Sequence, residues 1–351
     1  MKNSSDATAL PGGQTSGDDC VALGLPWLVA DLGGTNARFG WVGHPGRGVE
    51  HVRKLAVADY AGPAAAAAAY LAGLQGLPGT APPRRAALAV ATPIDGDLVG
   101  MTNSPWRFSR AALHRELGLD SLQVLNDFEA LALSLPRLGA AHLRSHGALP
   151  GAKGAKGMLA VIGPGTGLGV AGVVQTAQGW VALPGEGGHA TLAPADDFES
   201  SLLQWVRGEH AHVSAERLLS GIGLPLLHQA VAAVLGQAAE PLAAEQVVER
   251  GVSGSDGLCR RTLDVFCALL GGFSGNVALT LGARGGVYIG GGIVPRMGDL
   301  FFASPFRARF EAKGRFRSYL EAIPTALITD TLAALTGAAL AIEQDRQGAA
   351  F

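Results

Sequence analysis

The chain is short of cysteine and of charge. Cys20, Cys259 and Cys267 are the only cysteines in 351 residues, too few and too scattered for a disulfide framework or a zinc site. Cys259 and Cys267 fall in a stretch with helical patterning, where core packing is the ordinary role of a thiol. A reducing, cytoplasmic setting is expected. Charged residues make up 16% of the sequence and the formal net charge is −2, which argues against a general nucleic-acid binder with its basic stripe. No apolar run is read as the roughly 18–20 uncharged residues that a membrane helix needs. Residues 1–26 are polar, rich in Ser, Gly and Asp, and lack the charged start and apolar centre of a signal peptide, so they are expected to be a disordered tail. Neither nucleic acid nor a membrane is expected as a partner.

Glycine, by contrast, is abundant, with 51 residues. They are neither periodic nor pooled, but sit in short clusters between apolar runs, as tight turns that a backbone or ligand approaches closely would require. With 48% hydrophobic residues over this length, the chain can build two cores.

The apolar run Trp27–Ala30 reads as a strand that ends at Asp31-Leu-Gly-Gly-Thr35, and Arg38–Val42 returns from it as a hairpin. A third strand is expected near Val52–Val57, a helix over Pro63–Gly73, a buried strand at Ala86–Ala91, a helix at Arg110–Leu117, and a strand at Leu122–Leu125 ending on Asn126-Asp127. The second half repeats the plan: Met158–Ile162, the turn Gly163–Gly167, the return Leu168–Val174, and a third strand at Trp180–Leu183. Amphipathic stretches follow at Asp197–Gly208, Ala215–Leu235 and Gly257–Leu281, then a last strand at Val287–Ile289 before Gly290-Gly-Gly292, and a helix at Thr331–Gln344. The expectation is an α/β protein with a small domain over 27–137, a large one over 138–330, and a C-terminal helix, 331–345, that packs back on the first. Facing each other, the halves would bring both glycine turns to one cleft.

A glycine-rich turn after a strand offers backbone N–H groups to phosphate oxygens, although a plain hairpin explains any single such turn. There is no G-x-x-x-x-G-K-[ST], and the literal G-x-G-x-x-G over Gly167–Gly172 leads into a β-branched strand where a dinucleotide site needs a helix. Asp31, at the end of a strand beside Gly-Gly-Thr, would repel a triphosphate unless Mg2+ or its water lay between them; capping the turn is the plainer role. Asn126-Asp127 closes a strand where α/β ligand sites gather, and a carboxylate there can take the proton of an attacking hydroxyl. A turn and helix cap, with Asp127 capping a helix from Phe128, explains the pair equally well. Glu186 and His189, set among glycines, suit a polyol, since carboxylate and imidazole bond hydroxyls well; zinc is the rival ligand. His210 and His212 read as a solvated turn, and Glu216 follows the N-cap Ser214 and suits its helix dipole with no further role.

Taken in order, Asp31-Leu-Gly-Gly-Thr-Asn-Ala-Arg38, Leu125-Asn-Asp-Phe128, Gly163-Pro-Gly-Thr-Gly-Leu-Gly169, Gly185-Glu-Gly-Gly-His189, Ser214-Ala-Glu-Arg217 and Gly286-Val-Tyr-Ile-Gly-Gly-Gly-Ile-Val-Pro-Arg296 resemble the bacterial glucokinase family, from about Trp27 to the end of the chain. The resemblance implies a two-domain, actin-like (ribonuclease H-like) hexokinase-type fold, usually a homodimer, that phosphorylates glucose at its 6-hydroxyl with MgATP. It implies Asp127 as general base and Asn126, Glu186, His189 and Glu216 as sugar ligands. The turn Ala30, Asp31, Leu32, Gly33, Gly34, Thr35 and the turn Gly165, Thr166, Gly167 would hold phosphates, with Asp31 reaching Mg2+ through water. Gly290, Gly291 and Gly292 would border the adenosine. Ile222 departs from the proline common in the family, and the zinc-binding cysteine cluster of the related repressor/kinase (ROK) group is missing. The alternatives are a kinase for another hexose or amino sugar, and a non-catalytic sugar sensor on the same fold.

Overall fold

In the computed structural model, which describes residues 25–44, 48–77, 81–101, 104–147, 157–177 and 179–348, with side chains described to residue 345, the apolar runs fold into two mixed sheets of one plan. Residues 1–24 of the expected tail lie outside the described residues. The first sheet is made by β1 (Trp27–Leu32), β2 (Asn36–Val42), β3 (Glu50–Ala56), β4 (Arg85–Val90) and β7 (Ser121–Asn126), with β5 (Leu98–Gly100) and β6 (Arg107–Ser109) forming a separate ribbon. The order is β3-β2-β1-β4-β7, antiparallel through β1–β3 and parallel from β1 to β7. The second sheet uses β8 (Leu143–His146), β9 (Leu159–Pro164), β10 (Leu168–Thr176), β11 (Gly179–Gly185), β12 (Gly286–Ile289) and β13 (Thr325–Ile328) in the order β11-β10-β9-β12-β13-β8. It repeats the antiparallel meander and the two parallel strands, then adds β8 antiparallel at the edge.

Both sheets are covered on both faces, which is why their central strands read as unbroken apolar runs. In β1, Leu28, Ala30 and Leu32 face the core built with Phe39, Tyr70 and Trp106, while Trp27 and Val29 face Leu335, Ala338 and Ile342 of the C-terminal helix Ala333–Gly348. In β9 the same alternation sends Ala160 and Ile162 into the large core and Leu159 and Val161 to the other side.

Three expectations need correction. The stretch Ala215–Leu235 is two helices, Ala215–Leu218 and Leu224–Val234, because Ser220-Gly221-Ile222-Gly223 breaks it before Pro225. β13, β8 and the β5–β6 ribbon are not among the expected elements; each strand is three or four residues long, too short to show a period. Finally, the helix Gly257–Leu281 is, by length and composition, long and apolar enough to cross a membrane; 72% of its apolar window is buried inside the fold, where it packs in the second core. Cys259 and Cys267 lie on it as free, buried thiols, pushed up by burial to about 11 and about 12.

Two close approaches fix helix positions. At Gly337 a side chain would run into the Ala130 carbonyl, so the C-terminal helix crosses the Asp127–Ser134 helix in backbone contact. On the long helix, a Cβ at Gly271 would meet the Phe306 carbonyl, whereas one at Gly272 meets nothing within 4 Å. Gly271→Ala should therefore lower unfolding stability by about 2 kcal/mol or more through overpacking. Gly272→Ala, one residue away, should raise it by about 0.5–1 kcal/mol through helix propensity and unfolded-state entropy. Denaturant midpoints compare the two, and equal shifts would contradict the packing described.

Candidate active site

β7 ends at Asn126, and the next helix starts at Asp127. The helix is capped by Asn126, whose Oδ1 accepts from the amides of Phe128 (2.9 Å) and Glu129 (3.3 Å), while the Glu129 carboxylate accepts from the Asn126 amide (3.4 Å). The capping role considered for Asp127 thus belongs to its neighbour, and the helix begins one residue earlier than expected. Asn126 Nδ2 donates to the Thr92 carbonyl (3.2 Å). Asp127 accepts from the Phe128 amide (3.0 Å), and its own amide and the Asn126 side chain also favour the charged form. Its carboxyl is pushed up to about 6, first by burial and then by the charge of Asp31.

Asp31 sits at the end of β1, and the hairpin register places Arg38 directly opposite. The guanidinium donates to Asp31 Oδ2 at 3.0 Å. Burial raises the Asp31 carboxyl and Arg38 opposes that rise. Beyond Asp31 the turn is closed by Gly33 N–H to the Asn36 carbonyl (2.9 Å), and the Thr35 carbonyl accepts from Val57 (2.9 Å). Ala30 and Leu32 bury their side chains completely and can offer a ligand only their backbone.

The two halves meet around Phe128. A Cβ on Gly163 or on Gly169 would run into its ring, so these glycines of the second turn make room for the residue beside Asp127. Between them, Gly165 N–H donates to the Gly167 carbonyl (2.8 Å); that amide serves the turn itself. The three-glycine turn lies on top: Gly290 N–H donates to Ile162 (2.8 Å), Ile293 N–H to Pro164 (3.2 Å), and Gly291, at φ +77°, has no room for a side chain against the Pro164 carbonyl. Gly165, Thr166 and Gly292 then line one cavity of ≈ 780 Å³ with Asp127 and Arg38. Its far wall is apolar, made by Ile222, Pro225, Ala243, Ala244, Val248 and Ile293, with Glu245 and Arg296 3.9 Å apart at the side.

Glu186, His189 and Glu216 are also brought together. His189 stands 3.7 Å from Glu186 through Nε2 and 3.9 Å from Glu216 through Nδ1, a loose trio whose members lie beyond direct hydrogen-bond distance of one another. Ser214 caps the Glu216 helix through the Arg217 amide (3.2 Å). The Glu216 carboxylate does not serve that helix; it accepts from the Leu168 amide at 2.8 Å. His212, expected in a solvated turn, lies 3.1 Å from the Thr191 hydroxyl, and with His189, His210 and Glu216 it lines a second cavity of ≈ 490 Å³.

Sequence reasoning missed Arg38 and Phe128 as site residues. Arg38 carried a signal, an opposite charge at the mirror position of Asp31 across the Gly-Gly-Thr turn. Phe128 carried none, because its partners lie 35 and 41 residues away.

The glucokinase family model matches residues 28–345. A glucokinase of Chromobacterium violaceum is 50% identical over 323 residues, covering 91% of this chain and 91% of that protein. The crystal structure of a glucokinase from an Antarctic psychrotroph matches with a TM-score of 0.83 at 38% identity, over 91% of this chain and 98% of that one. A ROK family glucokinase from Streptomyces griseus, solved with glucose and AMPPNP, shares the fold at a TM-score of 0.59 and 20% identity, over 91% of this chain and 99% of that one. The architecture is the two-domain, actin-like one of these sugar kinases. With the family matched along nearly all the described sequence and half the residues shared with a curated member, this chain belongs to the glucokinase family.

Proposed function

We propose that this chain transfers the γ-phosphoryl group of ATP to the 6-hydroxyl of D-glucose, with Asp127 as the general base. The observation that carries this reading is the position of Asp127. Its half-buried carboxylate opens on the cavity lined by Gly165, Thr166 and Arg38, and with a value of about 6 it is ionised at neutral pH yet basic enough to draw a proton. As the 6-oxygen bonds to the γ-phosphorus and the bond to the leaving ADP oxygen breaks, the hydroxyl proton passes to Asp127. Asn126, Glu186, His189 and Glu216 take the remaining sugar hydroxyls. The Ala30–Thr35 and Gly165–Gly167 turns hold the phosphates, and Gly290–Gly292 with the apolar wall border the adenosine.

The residues fit a hydrated Mg2+ arriving with the triphosphate. Asp31 and Asp127 are close enough for their charges to oppose each other, and among the described residues no three metal-capable side chains converge, so an ion here would keep waters and take phosphate oxygens. Asp31 would hold it, and it would neutralise phosphate charge. Segments 27–137 and 138–330 act as the domains that close on the sugar, expelling water as a competing acceptor. The enzyme works as a cytoplasmic homodimer, a reading supported by the family resemblance.

Coupled ADP release should depend on glucose, and release at equal rate without sugar would contradict a kinase. Asp127→Ala should cut kcat by roughly 10²–10⁴-fold while glucose affinity changes far less; near-normal turnover would remove Asp127 from the chemistry. In the wild type, kcat/KM should climb about tenfold per pH unit on the acid side and level off above about 6.

Stability should run the other way. The folded carboxyl titrates at about 6 against 3.8 for an ordinary aspartate, so the native state binds the extra proton and loses stability as pH rises between those values. Above that window the ionised carboxylate costs at most about 3 kcal/mol. Asp127→Asn should therefore melt higher than the wild type at pH 7.5, with the gap closing towards pH 4; a lower melting point at pH 7.5 would show that the buried charge is not strained.

A further inference from the structure

Glu216 touches both halves of the reaction. One carboxylate oxygen, Oε1, faces His189 Nδ1 at 3.9 Å in the sugar trio. The other, Oε2, accepts from the Leu168 amide at 2.8 Å, and Leu168 directly follows the phosphate turn Gly165–Gly167. The contact is tight: a Cβ on Gly167 would stand 2.5 Å from Oε2. The chain just beyond Glu216 grips the same turn again, with Gly221 N–H donating to the Gly165 carbonyl (2.7 Å) and Ile222 N–H to the Thr166 carbonyl (3.4 Å). The plainer role of an acid in the first turn of a helix, complementing the dipole, does not account for this. That helix has four residues, Ser214 already caps it, and the carboxylate bonds elsewhere.

We propose that Glu216 is a positioning residue for the ATP-phosphate turn as well as a sugar ligand, so that filling the sugar site and ordering Gly165–Gly167 are energetically coupled. This rests on the glucokinase reading of the two sites. A hydrogen bond to a charged acceptor is among the stronger ones in a protein. A sugar hydroxyl bound at Oε1 fixes the carboxylate and with it the Leu168 amide and the turn before it. By linkage, whatever sugar does for nucleotide affinity, nucleotide does equally for sugar.

The test is equilibrium binding by calorimetry, with Mg-AMPPNP titrated in the absence of sugar and glucose titrated in the absence of nucleotide. Glu216→Ala should weaken AMPPNP alone by about 5–10-fold, the loss of one charge-assisted hydrogen bond. Glu216→Gln keeps an oxygen for the Leu168 amide and should bring AMPPNP back to within about twofold of wild type while glucose stays weak. Reciprocally, Gly167→Ala, a change in the nucleotide turn that displaces only the mobile end of Glu216, should weaken glucose alone by about 3–10-fold. The proposal is overturned if Glu216→Ala leaves AMPPNP within twofold of wild type, or if Gly167→Ala leaves glucose unchanged. If the wild type binds AMPPNP but not glucose, the sugar assignment fails, and the AMPPNP comparison still decides the role of Glu216 at the turn.

Discussion

A half-buried carboxylate beside a second carboxylate is an unfavourable arrangement, and the structure around Asp127 holds it. Burial and the charge of Asp31 both work against ionisation of Asp127. Arg38 on the facing strand offsets part of the strain at Asp31. Asn126 caps the helix so that Asp127 need not, and the C-terminal helix is pressed against that same short helix at Gly337. A group set this way is a poor contributor to stability and a good proton acceptor near neutral pH.

The glycines divide into two kinds by what they touch. Gly163, Gly169, Gly291 and Gly337 are glycine because another part of the protein occupies the space of a side chain. Gly165 has open space beside it and lines the cavity, as a residue meant to approach a ligand should. Gly163, Gly169 and Gly291 lock the second-half turns onto Phe128 and onto each other, Gly337 seats the C-terminal helix on the Asp127–Ser134 helix, and Gly165 faces the cavity. Precision at the cleft therefore comes from packing behind it, in keeping with the rigidity of close-packed interiors.

Much of this was legible in the sequence. The paired strand–turn–strand plan follows from apolar runs and glycine clusters, because covered sheets leave continuous hydrophobic segments. Asp127, Glu186, His189 and Glu216 could be named because they stand in motifs recognisable together. What could not be read depends on residues distant in sequence. Nothing local says that Phe128 nests against Gly163 and Gly169, or that Glu216 leaves its own helix to bond Leu168. The four-residue strands Leu143–His146 and Thr325–Ile328 owe their conformation to the sheet they join, which is a tertiary effect overriding weak local preference. The membrane-like composition of Gly257–Leu281 reflects the same thing from the other side: a helix packed mostly inside its own protein turns little of its apolar surface to water.

The central claim is that the environment of Asp127 sets the proton acceptor of the reaction. A carboxyl-carbon NMR titration of Asp127 in the free protein, assigned by difference against Asp127→Asn and laid over the pH profile of kcat/KM for glucose, tests it directly. The account predicts one midpoint, near 6, in both measurements. A carboxyl titrating at the ordinary aspartate value of 3.8, with the activity midpoint elsewhere, would contradict it.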